Sequence, residues 1–551
     1  MSSRRSPSRL SRRAFLAGTA VGSAALLALA ASPGGPSAAA HDMAEGAGRR
    51  DDHRPGATTA FDHVVVLMLE NRSYDHLLGW LYRDEDLRPG QHVAGLFQSP
   101  SSNTAPDGTV VEAYRYGGTR SERLVRPTTN AGEDLRHADR QLFGSGPARG
   151  LPPMSGFVAD YIDNYRSIHG RDPSPEAYRQ VMGGFPSDTL PVLSTLARSF
   201  GVFDHWFGSV PSDTFCNRSF VHAATSHGYV TNAGHGGYRK WLDAPAVPTL
   251  FNRLEDRGLP WRVYYDETQA VSLTGILTAP SLEAYWQSNF RNMAQFSADA
   301  EAGCLPSYSF IEPRMIFNRN SMHPARASSP TRSGIPDPSG RAVTDMLAGE
   351  ALVAEVYEAI RTSASPNGSN AGNTALIITF DESGGLFDHV PPPAAPPPGD
   401  GSEPGEWGFL FDRLGARVPA IIVSAWTDAG SVMNETLDHT AIIATVSARH
   451  GLAPLTDRDA AASTLATAIT LSSPRPASDW PVLPVPRVPR APVPSRAPAR
   501  HPQTATSLGI LGLVLARFEP GEPLPTSTSA AFDTLIDRGT GLFGTRDLER
   551  L

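Results

Sequence analysis

Thr374-Ala-Leu-Ile-Ile-Thr-Phe380-Asp381-Glu382-Ser-Gly384-Gly385-Leu-Phe-Asp-His389 drives a run of apolar and β-branched residues straight into two carboxylates, a glycine pair and an Asp-His. Such a run, without polar alternation, predicts a strand covered on both faces. In open α/β sheets ligands bind beyond the carboxyl ends of such strands, where Asp381 and Glu382 stand. The pattern occurs a second time, near the start of the chain. Phe61-Asp-His-Val-Val-Val-Leu-Met-Leu-Glu70-Asn71-Arg-Ser-Tyr-Asp-His76 is again an apolar strand that ends on oxygen-bearing side chains. Two strand ends thus offer four oxygen donors: Glu70, Asn71, Asp381 and Glu382.

In all, strands are predicted at 64–69, 261–265, 375–380 and 419–424. Between them, 190–200 and 350–360 repeat apolar residues at three and four, the helical spacing. The alternation predicts an α/β fold with a mainly parallel central sheet flanked by helices. Gly/Pro/polar stretches at 98–120 and 325–341 read as long surface loops framing a cleft. Residues 60–472 are expected to form the catalytic body. A Pro-rich linker spans 473–503, and a small helical C-terminal tail spans 504–551.

The chain has 551 residues and a net charge of -8, with no long Lys/Arg block, which argues against a nucleic-acid partner. Its two cysteines, Cys216 and Cys304, make no disulfide framework and no zinc spacing. One bridge or none is open. Ser11-Arg12-Arg13-Ala-Phe-Leu16, an Ala/Leu/Gly-rich stretch and Ser37-Ala-Ala-Ala40 read as a twin-arginine export signal over 1–40, followed by a polar linker over 41–59. An uncleaved anchor is the alternative. The expected location is secreted or associated with the cell envelope.

The donor set of carboxylates and an amide oxygen favours a divalent cation such as Ca²⁺, Mg²⁺ or Mn²⁺ over a thiolate zinc site. A hydroxyl near such an ion becomes a usable nucleophile toward phosphorus. Thr214 in Ser212-Asp-Thr214-Phe-Cys216-Asn217-Arg218 is the candidate, with Ser209, Ser212 and Cys216 as competitors; the plain alternative is that Thr214 caps a helix. Asn217 and Arg218 could donate to phosphoryl oxygens. A leaving group needs a proton, and His137, His323 and His389 are the best-placed acids, with His76, His205 and His439 behind them. Trp80, Trp206 and Trp241 are candidate cleft-wall aromatics.

At these residues the chain resembles the bacterial phosphoesterase family that contains phosphatidylcholine-type phospholipases C and a group of acid phosphatases. The resemblance runs in order through Glu70-Asn-Arg-Ser-Tyr-Asp-His76, Met154-Ser-Gly-Phe157, Thr214-Phe-Cys-Asn-Arg218, Phe310-Ile-Glu-Pro-Arg314, His323-Pro324, Phe380 to Pro393, Arg417-Val-Pro419 and Asp438-His-Thr440. It implies an alkaline-phosphatase-like core in which Glu70, Asn71, Asp381 and Glu382 hold a metal that also touches Thr214, the nucleophile. His137 and His323 match histidines of the family's active site. The family usually reads Gly-Pro-Thr-x-Pro-Asn-Arg around the nucleophile; this chain loses a proline there and gains Asp213. The expected activity is hydrolysis of a phosphodiester such as a phospholipid head-group bond, with contact at a membrane surface and no evident protein partner. A monoester phosphatase and an inactive secreted binding protein are the alternatives. A sulfatase is disfavoured because the Cys/Ser-x-Pro-x-Arg signature is missing.

Overall fold

A computed structural model describes residues 60–269, 271–316, 319–324, 346–484, 486, 504–525, 530 and 533–535. The apolar run Thr374–Phe380 is a strand, every residue of which is buried. In chain order the central sheet uses β1 (His63–Leu69), β2 (Gly201–Phe203), β3 (Trp261–Tyr265), β4 (Phe290–Asn292), β5 (Tyr308–Ile311), β6 (Thr374–Phe380), β7 (Ala420–Val423) and β8 (Ser431–Met433). Across the sheet the order is β8-β2-β7-β6-β1-β5-β3-β4. All neighbours pair in parallel except at β7, which runs antiparallel to both β2 and β6. The fold is therefore α/β with a mainly parallel sheet, as the alternation of patterns predicts. Four strands escape the sequence reading, β2, β4, β5 and β8, because each is too short to show a period.

Register is what builds the site. β1 and β6 lie side by side in parallel, with Leu69 opposite Phe380. The next residues of each strand, Glu70-Asn71 and Asp381-Glu382, must therefore emerge together at one sheet edge. Asp381 N donates to Leu69 O at 3.1 Å, which extends the ladder by one step. β1 and β6 are buried almost throughout, so helices and loops cover both faces.

The helices used below are α1 (Leu135–Phe143), α2 (Phe157–His169), α3 (Pro191–Ser199), α4 (Thr214–Ala223), α5 (Met346–Arg361), α6 (Thr440–His450) and α7 (Ala505–Phe518). α3 and α5 are joined by a buried carboxylate. Glu350 accepts from Val192 N at 3.0 Å and from Leu193 N at 2.8 Å, satisfying two of the amides that the first turn of α3 leaves free. α1 and α2 enclose a smaller apolar cluster with Leu386 and Phe387, and this cluster holds them over the loop that follows β6.

The Pro-rich stretch begins on the body. Trp480 stacks on Tyr357, whose hydroxyl donates to Pro481 O at 2.7 Å, and Leu483 is buried. α7 then packs with its apolar residues Ile510, Leu511, Leu513 and Val514 all buried. The export signal and the linker at 1–59, most of the second linker and most of the tail beyond α7 lie outside the described residues. Among the described residues no helix is long and apolar enough to cross a membrane. Cys216 is buried and Cys304 exposed, and both are free thiols.

Candidate active site

Asp381 is the organising residue of the sheet edge. Its Oδ1 accepts from Asn71 N at 3.0 Å and Glu382 N at 2.8 Å, and its Oδ2 accepts from Arg218 Nε at 3.1 Å. Glu382 accepts from Gly384 N at 2.6 Å and faces the amide nitrogen of Asn71. Asn71 sits at φ 56°, a left-handed conformation that asparagine adopts more readily than most residues. Gly384 must lack a side chain because a Cβ there would lie 2.3 Å from Asn71 O. The two strand-end loops interlock only with that glycine in place.

All four predicted donors are buried in one place. Burial raises the Glu70 carboxyl to about 7, with the Asp381 charge adding to it. It also pushes Asp381 and Glu382 upward, Glu382 additionally through the charges of Glu133 and Asp381. The hydroxyls of Ser321 and Thr506 face Glu70 and act in the opposite sense, yet neither Glu70 oxygen nor Asn71 Oδ1 receives a hydrogen bond of ordinary geometry. Oxygen atoms that are buried, crowded by like charge and unpartnered fit a hard divalent cation. Glu70, Asn71, Asp381 and Glu382 are the residues that would hold it.

Thr214 enters from α4. The cap position of that helix belongs to Asp213, so Thr214 is its first residue and not its cap. Thr214 is fully buried, and its hydroxyl lies 3.3 Å from that of Thr506. Arg218, one turn on and on the same face, ties α4 to Asp381 and donates to Met68 O and Leu69 O at 3.2 and 3.3 Å. Its Nη1 is buried without a partner. The competing nucleophiles are occupied elsewhere. Ser209 accepts from His439 N, Ser212 donates to Val230 O at 2.6 Å, and burial pushes the Cys216 thiol well up. Asn217 donates to Val210 O and Ser212 O and accepts from Val210 N, so its amide shapes the loop before α4 instead of facing a substrate.

The histidines divide. His323 is fully buried, with Nδ1 against Pro324 O at 2.9 Å and Nε2 3.9 Å from Glu133. His137, partly exposed on α1, holds Asp160 of α2 at 2.8 Å, and that hydrogen bond raises its proton affinity. His389 instead joins a buried ion network. Its Nδ1 is 2.7 Å from Asp75, while Arg417 bonds Asp75 at 2.9 Å and Asp388 at 2.8 Å. Asp75, Asp388 and His389 bring three potential ligand atoms together, but the Arg417 guanidinium already supplies the positive charge there. Trp206 and Trp241 are core residues, and Trp80 is the one of the three with partial exposure.

Three contributors, Glu133, Asp213 and Thr506, carry no role in the sequence reading, and a fourth, His439, stands there only as a second-rank candidate acid. Glu133, raised to about 8 by burial and by the Asp213 charge, adds a further carboxylate beside the cluster. Asp213, raised to about 6 by burial, accepts from Asn232 N at 2.9 Å and braces the loop that presents Thr214. His439 accepts from Trp206 Nε1 through Nδ1, and its Nε2 donates to Asp381 O at 2.7 Å, which steadies the ligand loop, while burial lowers its proton affinity. Thr506 reaches in from α7. A narrow cleft lined by Glu133, Gln141, Ser212, Glu382 and Ser383 leads to the cluster.

Comparison with known proteins gives the family. A model of the phosphoesterase family matches residues 61–453. Non-specific phospholipase C1 of Arabidopsis thaliana is 33% identical over 422 residues, which is 73% of this chain and 69% of that protein. Non-specific phospholipase C6 of the same plant is 34% identical over 75% of this chain and 73% of its own length. Phospholipase C B of Mycobacterium tuberculosis is 26% identical over 72% and 75%. Among solved structures, a protein in the alkaline phosphatase superfamily from Vibrio parahaemolyticus matches 50% of this chain and 64% of its own, at 10% identity and a TM-score of 0.30. The chain belongs to the phosphoesterase family and is a phosphoric ester hydrolase.

Proposed function

We propose that this phosphoesterase is exported and cleaves the head-group phosphodiester of phospholipids, using Thr214 as nucleophile beside a divalent cation held by Glu70, Asn71, Asp381 and Glu382. The observation that carries the reading is the Arg218 to Asp381 contact, because it locks the helix that begins with Thr214 onto the loop of carboxylates. The phospholipase C names of the relatives at 33% and 34% identity support the diester substrate. The Arg12-Arg13 leader supports export.

The ion, when bound, lowers the proton affinity of the Thr214 hydroxyl and draws charge from the phosphoryl group. Thr214 sits at the amino end of α4, where the helix field also favours a negative oxygen. Its proton leaves to solvent, and the oxygen bonds phosphorus as the bond to the leaving diacylglycerol oxygen breaks. A histidine gives that oxygen its proton. His323 and His137 both feel the Glu133 charge and are the two candidates for this proton. Water then attacks the phospho-threonine and returns its proton to the histidine, the Thr214 oxygen leaves phosphorus and regains a proton from solvent, and the phosphomonoester departs.

Monoester hydrolysis is the second reading, favoured by the narrowness of the cleft at Glu133, Ser212 and Glu382. Phosphatidylcholine and p-nitrophenyl phosphate, offered separately to the purified enzyme, decide between them. Release of phosphocholine from the lipid is expected. Release of inorganic phosphate from the monoester, with the lipid untouched, overturns the diester assignment.

A further inference from the structure

α7 lies beyond the residues that the family model matches, yet its first turn reaches the nucleophile. Thr504 caps the helix by accepting from Ser507 N at 3.0 Å, Ser507 Oγ donates to Met315 O at 2.8 Å, and Thr504, Thr506 and Ser507 are all fully buried. Two glycines one turn apart seat the helix. A Cβ at Gly509 would lie 2.7 Å from the Phe215 ring and one at Gly512 2.0 Å from the Tyr238 ring. With Ile510, Leu511, Leu513 and Val514 buried as well, α7 is an integral wall and not a loosely held plug.

That wall presents one polar group to Thr214. The Thr506 hydroxyl is 3.3 Å from the Thr214 oxygen and also faces Glu70. A nucleophilic alkoxide in a buried site is favoured by a fixed hydrogen-bond donor, and the Thr506 hydroxyl is placed to be one. We infer that Thr506 is a further catalytic residue: its hydroxyl donates to the Thr214 oxygen before attack and to the phosphoryl group afterward, without giving up its own proton. This rests on Thr214 being the nucleophile.

The test uses the full chain and three variants. Thr506→Val keeps the shape and removes the donor; Thr506→Ser keeps the donor and removes the methyl group. The expected result is a fall in kcat of roughly 10²-fold for Val, by comparison with loss of one preorganised donor, and near wild-type turnover for Ser. Orthovanadate, a mimic of the transferring phosphoryl group, should lose inhibitory strength in Val by a similar factor. Turnover in Val equal to wild type, or equal loss in Ser and Val, overturns the inference. If Val does not fold, Thr506→Ala replaces it against Ser with the same two outcomes. Thr214→Ala, run alongside, separates the failures: a dead Thr214→Ala with an unimpaired Thr506→Val removes only Thr506, whereas an active Thr214→Ala removes the nucleophile itself.

Discussion

Arg218 and Asp381 form an ion pair that is fully buried, Nε to Oδ2 at 3.1 Å, between the helix of the nucleophile and the loop of the carboxylates. Removing one member of such a pair leaves an uncompensated charge in the interior. Arg218→Ala should destabilise the fold by roughly 3–5 kcal/mol. It also removes the cationic partner that Asp381 has in the cluster, so added Ca²⁺, Mg²⁺ or Mn²⁺ should raise the melting temperature of the variant more than that of wild type. Calorimetry with and without the ion checks both statements, and an unchanged melting temperature in the variant contradicts them.

Chelation of divalent cations should abolish turnover and lower the melting temperature of wild type, since the carboxylates would again face one another unscreened. Asp381→Asn should need a higher ion concentration for the same activity. Titration of activity against each metal gives the comparison, and an identical ion requirement in the two proteins counts against Asp381 as a ligand.

His137 owes its raised proton affinity first to the hydrogen bond with Asp160. Asp160→Asn removes the charge, so the imidazolium should give up its proton at lower pH. If His137 delivers the proton to the leaving group, the alkaline limb of the rate profile shifts downward in that variant. A limb that stays in place assigns the acid to His323.

Glu350 carries a stability prediction away from the site. Burial raises its carboxyl to about 7, although the amides of Leu193 and Val192 act in the opposite sense. The unfolded chain releases that proton near pH 4.5 and the folded chain near 7, so the folded state binds more protons between the two and stability falls as pH rises through that window. The loss amounts to about 3 kcal/mol. Glu350→Gln should show a flatter dependence between pH 4.5 and 7 in denaturant unfolding; an equal slope in both proteins assigns the effect to another group.

Much of this site could be read before the fold was known because a parallel sheet turns sequence into position. Two apolar strands that end in Glu70-Asn71 and Asp381-Glu382 need only be neighbours in register, as β1 and β6 are, for their donors to meet. What could not be read depends on side-chain direction. Asn217 and Arg218 are adjacent in sequence but point differently, one into its own loop and the other to Asp381. His389 follows the ligand strand closely, yet Asp75 and Arg417 draw it into a structural network. Glu133 stands next to the Asp134 that caps α1 and gives no local sign that it will be buried among carboxylates. Thr506 belongs to a tail without any motif, and only packing brings it to Thr214.

The most direct measurement is turnover of Thr214→Ala on phosphatidylcholine with saturating divalent cation, paired with mass analysis of wild type quenched in acid during turnover. The account predicts no phosphocholine release by the variant, with its fold and ion binding intact, and a phosphoryl group on the peptide carrying Thr214 in wild type. Wild-type turnover in Thr214→Ala, or a phosphoryl group recovered on another residue, would contradict it.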